Sequence, residues 1–576
     1  MTGTRINCPK EPADIIIPTY NEAENISKLL EQICQRVTGI ECEILIVDDD
    51  SPDNTVEYVE RFKDDYNAKT QNNSISIRVV KRKKKEGIIR ALDDGLKNSK
   101  GESFEQLPLD SIKIQMKIGI KNHSMQFGIS KNLFKKLKVV SEKSTKLLLS
   151  KNNLVKDTSK NVLMIEFSAI QYQSLFEQMP NSNINFFVYN RRKPAFWNFQ
   201  SYNLIKQSEC IVETENSLSD ASFKKIVSDG RLQMETKILN LFSEESFFKS
   251  FFSIGGVSFW STFKSFFQKF LRKRAFEFIV EIELTKKLME KYHFSSILIL
   301  SEAGSNEKIA LQLAHQKQIP VCLLQHGAIY DTTEGYDMSV AQGVIPLKSD
   351  HYLCWGKITE EYSKSLGINI ENIHSIGSPI FDRVKFDEQN SSKNDYVLLA
   401  TSGPTKEDAS DLTVEIIEKN ISAIKNVCEL VTKHNKKLII KTHPTPDELD
   451  PSFISKQINS EIEVIKEGKI SPLIQSCELL IVIDFSSVIL DAHILRKPVI
   501  SLSVKDNGWG IPPILKNNSC LVSDIEKLSD DLKDVLNNKQ IRNQLIKNGT
   551  KSSNEYLSYQ NNGSSKLIEF LEELVN

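Results

Sequence analysis

This 576-residue sequence lacks several things, and each absence removes a class of protein. Its nine cysteines never stand as C-x-x-C, so neither a disulfide framework nor a zinc site is indicated. No run of eighteen apolar residues exists to span a bilayer, and the first residues lack the apolar core of a signal peptide. Net charge is nearly absent: 74 basic and 75 acidic side chains leave −1, so the whole chain makes no case for nucleic acid. A reduced, cytoplasmic location fits best, and no nucleic-acid partner is expected. No internal repeat is evident.

Apolar residues make up 40% and charged residues 26%, as in ordinary globular proteins. The length implies about three or four folding units. Ala13-Asp-Ile-Ile-Ile-Pro18 and Glu43-Ile-Leu-Ile-Val-Asp48 read as buried parallel strands, with a helical pattern from Glu22 to Val37 between them. A third strand at 76–80 and a helix from Gly87 to Asn98 follow. Residues 103–160, rich in Lys, Ser and Asn, read as linker or irregular structure. Alternation of strand and helix resumes at Asn161, with strands at 162–167, 184–189, 208–212, 296–301 and 320–324. A second series begins near Tyr396, with strands at 437–442, 462–466, 479–483 and 498–502. The expected α/β architecture is a partial Rossmann unit (1–102), then two doubly wound lobes (161–385 and 386–576) facing a cleft.

Two loops of the first unit carry its polar residues: Pro18-Thr-Tyr20-Asn-Glu22 and Asp48-Asp49-Asp50-Ser51-Pro-Asp53. With these motifs, residues 12–101 resemble glycosyltransferase family 2, and within it the dolichol-phosphate mannose synthases. The resemblance implies a GT-A-like fold in which Pro18, Tyr20 and Glu22 line a nucleotide pocket and Asp49 faces base and ribose. It also calls for a later D-x-D to hold a divalent cation. After Gly101 the chain reads Glu-Ser-Phe-Glu-Gln-Leu-Pro-Leu-Asp110, with no apolar strand and no D-x-D. The unit therefore reads as a truncated nucleotide-binding half, and a divalent cation matters only if it is active.

Four loops at strand ends hold the chemistry of the larger part. They are Ser301-Glu302-Ala-Gly304, Gln325-His326-Gly327, Lys441-Thr-His443-Pro444 and Asp484-Phe-Ser486-Ser487. A near-neutral imidazole can take a proton from an attacking hydroxyl, which makes His326 a candidate base, with Glu302 a second. A helix N-terminus carries about half a unit of positive charge, so Ser486 and Ser487 could help hold a phosphate. His443 could neutralise the same phosphate from a neighbouring strand end. Each residue also has a structural alternative: a strand cap, a loop hydrogen bond, plain N-capping. Gly508-Trp509-Gly510 reads either as a ligand loop or as a tight turn.

In this order, across about 290–515, these motifs resemble GT-B enzymes of surface-polymer synthesis. That group includes CDP-glycerol glycerophosphotransferases and capsule polysaccharide transferases. Phe485 stands at the position where tyrosine is usual. The resemblance implies donor binding by His443, Asp484, Ser486 and Ser487, an acceptor near His326, and no required metal or other cofactor in this part. The expected partners are a nucleotide-activated sugar or polyol donor and a glycan or polyprenyl-linked acceptor. The alternatives are a sugar-nucleotide 2-epimerase and a non-catalytic nucleotide-binding scaffold.

One segment stands apart. Between Phe242 and Phe278 lie twelve of the 29 phenylalanines, with basic residues interspersed. Core packing is the bland reading. Peripheral contact with the inner face of the cell membrane is the sharper one.

Overall fold

A computed structural model of the protein describes residues 13–36, 42–69, 75–84, 114–120, 123–129, 133–134, 136–140, 142, 160–254, 257–387, 396–401, 414–443, 450–505 and 508–576. The chain forms two compact units, Met1–Ile112 with Ser228–Ile279, and Lys113–Val227 with Val280–Asn576. The sequence-based division had kept 228–279 inside the first lobe.

In the first unit, strands β1 (Ala13–Thr19), β2 (Cys42–Asp48) and β3 (Ile75–Lys81) form a parallel sheet in that order. Apolar residues spaced four apart give the helix Ile26–Arg36 one buried stripe, Ile26, Leu30 and Cys34. That stripe and Val59 of the helix Thr55–Lys69 pack on Ile44 and Ile46, on one face of β2. The predicted helix at 87–98 lies outside the described residues.

Within 103–160, read from sequence as linker, β4 (Ile114–Ile120) and β5 (His123–Ile129) pair antiparallel. The signal was present in the alternation Ile114-Gln-Met116-Lys-Ile118-Gly-Ile120, and the abundance of lysine and serine around it hid it.

The second unit holds two parallel sheets. The first contains β6 (Asn161–Ile165), β7 (Asn185–Tyr189) and β8 (Ile211–Glu213). The chain then runs through β9 (Ser253–Ile254) and β10 (Val257–Ser258), a short antiparallel pair belonging to the first unit. It returns as β11 (Ser296–Ile299), β12 (Val321–Leu324), β13 (His351–Cys354) and β14 (Ile373–Ser375). The strand order is β14-β13-β12-β11-β6-β7-β8. The second sheet comprises β15 (Tyr396–Ala400), β16 (Lys437–Lys441), β17 (Glu463–Ile465), β18 (Leu479–Ile483), β19 (Val499–Leu502) and β20 (Leu521–Ser523), in the order β17-β16-β15-β18-β19-β20. Near-continuous apolar runs such as Leu479–Ile483 are buried along their length, as strands covered by helices on both faces must be.

Each order reverses once, between β6 and β11 and between β15 and β18. Ligands of doubly wound sheets bind beyond the strand ends at such reversals. All the candidate loops of this unit leave C-terminal strand ends.

The last helix, Gly563–Leu574, corrects the lobe boundary: Leu567, Ile568 and Leu571 are buried in the core of the first sheet, not the second. Asp382 caps it by accepting from the N–H groups of Gly563 (2.7 Å) and Ser564 (2.8 Å). Gly377, at φ +81°, has no room for a Cβ against the Ser558 carbonyl. The Gly377–Asp382 segment is thus where the tail crosses back. Among the described residues no helix is long and apolar enough to cross a membrane.

Candidate functional site

At the first reversal, Glu302 follows β11. Its carboxylate accepts from the backbone N–H groups of Leu347 (3.0 Å), Lys348 (3.1 Å) and Ser349 (2.7 Å). That corrects its assignment as a base: the carboxylate is buried and holds the 347–349 turn.

His326 follows β12 on a loop fixed by Gln325. The Gln325 amide donates to the Gly327 carbonyl (2.9 Å) and accepts from the Trp355 N–H (2.8 Å), while the Trp355 indole donates to the Gln325 carbonyl (2.7 Å). His326 is half-buried, and its Nδ1 is buried without a hydrogen-bond partner. Burial pushes its pKa below the ordinary histidine value; the Leu300 carbonyl opposes this and the Arg192 charge adds to it.

The sequence reading missed a cluster beside it. Arg192, after β7, pairs with Glu166 after β6 and with Glu307 in the first turn of the helix Ser305–Gln316. Glu307 is fully buried; burial raises its pKa and the Arg192 charge counters that. Asn306 donates to Glu166 at 2.8 Å. The signal was the run Asn190-Arg191-Arg192-Lys193 at a strand C-terminus.

At the second reversal, Lys441 and Val482 both pair with Ala400. His443 and Asp484, two residues beyond each, therefore leave the same sheet edge on either side of β15, about 10 Å apart at two strand spacings. His443 is exposed; Pro444 and Thr445 lie outside the described residues. Lys441 is buried and donates to the carbonyls of Thr442 and Lys466, both at 2.8 Å.

Asp484 needs correction. It sits at φ +54°, and its carboxylate accepts from Val504 N–H (2.6 Å) and Lys505 N–H (2.9 Å), tying β18 to the exit of β19. It anchors the loop. Ser486 Oγ accepts from the Val488 N–H at 3.4 Å, a long local contact. Ser487 is exposed at the start of the helix Val488–Ile494, and its hydroxyl makes no capping bond.

The two edges meet. The Tyr330 ring lies 5.3 Å from the Phe485 ring and 5.5 Å from the Trp509 ring, centroid to centroid. Thr332 donates to the Trp509 carbonyl, and Lys516 pairs with Asp331 at 2.7 Å. Gly508-Trp509-Gly510 is thus a turn fastened to the other lobe. The loop beginning at His326 packs against the loop carrying Ser486 and Ser487.

In the first unit, the loops of Tyr20–Glu22 and Asp48–Asp53 come together. Asn21 N–H donates to Ser51 Oγ (3.0 Å), Glu22 N–H to Thr55 Oγ1 (2.9 Å) and Ala23 N–H to Asp53 (3.0 Å). Pro18 and Tyr20 are half-buried along this edge. Asp49, expected to face base and ribose, is buried against Arg82 instead. Asp48 accepts from Ser51 Oγ (2.6 Å), Ser51 N–H (2.9 Å) and Thr19 Oγ1 (3.1 Å). Neither carboxylate fits a cation site, and residues 102–110 lie outside the described residues.

Two segments of the chain match models of known families. Residues 14–104 match the glycosyl transferase family 2 model, and residues 253–511 match the LIC12162 family transferase model. The dolichol-phosphate mannosyltransferase of Pyrococcus furiosus is 35% identical over 96 residues, 17% of this chain and 25% of that protein. An uncharacterized protein of Methanocaldococcus jannaschii, MJ0544, is 28% identical over 127 residues, 20% of this chain and 51% of that one. The chain thus spans between a quarter and about half of these relatives' length. Among solved structures, S. aureus MnaA with UDP is similar at 13% identity and TM-score 0.44, over 71% of this chain and 95% of that one. The Neisseria meningitidis UDP-GlcNAc 2-epimerase gives 11% and 0.44, over 72% and 100%. Likenesses of that strength decide nothing about chemistry. Both matched models describe transferase families, and along the chain a match to glycosyl transferase family 2 is followed by a match to the LIC12162 family transferases.

Proposed function

We propose that the protein is a glycosyltransferase-type enzyme of surface glycan or glycopolymer synthesis, acting at the cleft between its two parallel sheets. It moves a sugar or polyol phosphate from a nucleotide-activated donor to a hydroxyl of a glycan or polyprenyl-linked acceptor. The acceptor oxygen bonds to the transferred group as the bond to the donor phosphate breaks, and the acceptor proton passes to His326. His443 and the hydroxyls of Ser486 and Ser487 meet the charge on the departing phosphate, which makes a resident metal unnecessary. The first unit adds a nucleotide-binding surface and no chemistry of its own. The observation that carries this reading is the Tyr330–Phe485 contact, which brings the base-bearing loop against the hydroxyl-bearing loop.

The test is a thermal-shift screen with CDP-, CMP-, UDP- and GDP-linked donors. One donor class should raise the melting temperature, because ligand at about a hundred times its Kd stabilises by roughly 2.7 kcal/mol. His443→Ala and Ser487→Ala should each shrink that shift, and EDTA should leave it intact. No shift with any donor, or shifts unchanged in both variants, would refute the site.

A further inference from the structure

The segment 228–279 contains an aromatic cluster that does two jobs with two sets of rings. Phe242, Phe248 and Trp260 form its buried centre, with Phe248 stacked on Trp260 at 4.4 Å and Phe242 on Trp260 at 5.7 Å. Phe252, Phe263 and Phe267 pack around them. That centre accounts for the structural need for aromatics here.

Phe247 and Phe251 form its exposed rim, edge-on to Phe248 (5.3 Å) and Phe252 (5.1 Å). They stand one turn apart on the helix Glu245–Phe251, so they share a face, and their rings stack at 5.7 Å. Phe247 is 56% exposed and Phe251 68% exposed. Leu241 and Phe270 add further exposed apolar surface in the same segment. Paired large rings in water are unfavourable, and a contiguous apolar surface marks a contact site.

Charge says what kind of contact. Residues 242–278 carry six lysines and arginines against three acids, in a chain whose net charge is −1. Lys249 lies between the two exposed phenylalanines and is itself exposed. Lys264 is paired with Glu245, Arg272 with Glu235 and Arg274 with Glu277, so half of the basic groups brace the segment. Lys249 thus puts exposed positive charge between exposed aromatics, the pairing that suits the interface of an anionic bilayer.

We propose that this segment is a lipid-docking surface, with Phe247 and Phe251 entering the headgroup boundary of an anionic membrane and Lys249 facing its phosphates. The surface holds the enzyme at a bilayer; it does not span one.

The full-length protein should be sedimented with vesicles of pure phosphatidylcholine, and with vesicles containing about one third phosphatidylglycerol. Binding should favour the anionic vesicles and fall as salt is raised, because surface charge is screened within about 8–10 Å at physiological ionic strength. Phe247→Ser with Phe251→Ser should weaken it about tenfold or more, and Lys249→Glu by about tenfold at low salt, since each basic group near the surface contributes roughly fivefold. The salt and lipid dependence of the unaltered protein needs no variant to fold. Equal sedimentation with both vesicle types, or none with either, would overturn the proposal. Undiminished binding by the correctly folded double-serine variant would do the same and would favour a protein partner for this face.

Discussion

Tyr330 and Phe485 meet at a ring-centroid distance of 5.3 Å and an interplanar angle of 64°, one ring from each sheet's C-terminal edge. Such an edge-to-face pair contributes about 0.5–1.5 kcal/mol beyond its buried area. The Trp509 ring also contacts Tyr330, at 5.5 Å, so three aromatic rings join the loop that begins at His326 to the loops carrying Ser486 and Trp509.

Trp509→Ala removes one of those rings while leaving the proposed reacting groups in place. We expect turnover to fall by about ten- to a hundredfold, because an ångström of misplacement is expensive in rate. Donor affinity should change less. Steady-state kinetics beside donor titration separate the two; an unchanged turnover number sinks the clasp.

The half-buried His326 ring sets a pH dependence. Burial lowers its pKa, so the neutral form persists below the ordinary histidine range. A base must be unprotonated to act, and the acidic limb of kcat/KM should therefore lie below about pH 6.5. His326→Ala should abolish that limb and reduce the rate by about a hundred- to ten-thousandfold. An acidic limb at or above the ordinary histidine value contradicts the assignment.

Glu302→Gln offers the contrast. The carboxylate receives three backbone N–H groups, and an amide replaces one acceptor oxygen with a donor facing them. A loss of about 1–3 kcal/mol in stability follows. The acidic limb assigned to His326 should stay where it was. Denaturant unfolding and the same pH profile decide it: a limb that moves in this variant restores Glu302 as a reacting group.

Asp491 makes stability depend on pH in an unusual direction. Its carboxyl accepts from Ser471 Oγ at 2.8 Å, yet burial pushes its pKa up to about 6 from an ordinary 3.8. Between those values the folded protein binds more protons than the unfolded chain, so this group's contribution falls as pH rises through that window and is flat above it. The two-unit shift amounts to roughly 2–3 kcal/mol. Asp491→Asn should flatten this part of the stability profile. A profile unchanged in the variant would show that the carboxyl ionises freely in the fold.

Much of the architecture was legible because the strands are buried on both faces. Leu479–Ile483 and Cys42–Asp48 announce themselves as apolar runs, and parallel strands punctuated by helical patterns leave few topologies. Shorter strands did not: His351–Cys354 and Ile373–Ser375 are too brief to show a period. The long helix Ala221–Phe242 also went unread, its apolar residues mixed with polar ones around the whole circumference.

The loops followed a different rule. Sequence could nominate His326, His443 and the serine pair because their residue types and their places at strand ends are local facts. It could not separate Glu302 and Asp484 from them. All are polar residues following buried strands, and only the folded chain reveals that Leu347–Ser349 and Val504–Lys505 bring N–H groups to those two carboxylates. Arg82 likewise reaches Asp49 from another strand, 33 residues away.

What the sequence determined by itself was periodicity: which segments form strands and helices, and therefore which loops gather at which sheet edge. The tertiary structure alone decided which polar side chains are occupied by backbone. It also returned the last helix to the first sheet, through contacts between residues some four hundred positions apart. Local pattern cannot encode those choices, because a hydrogen bond's partner depends on where the chain arrives and not on where it departs.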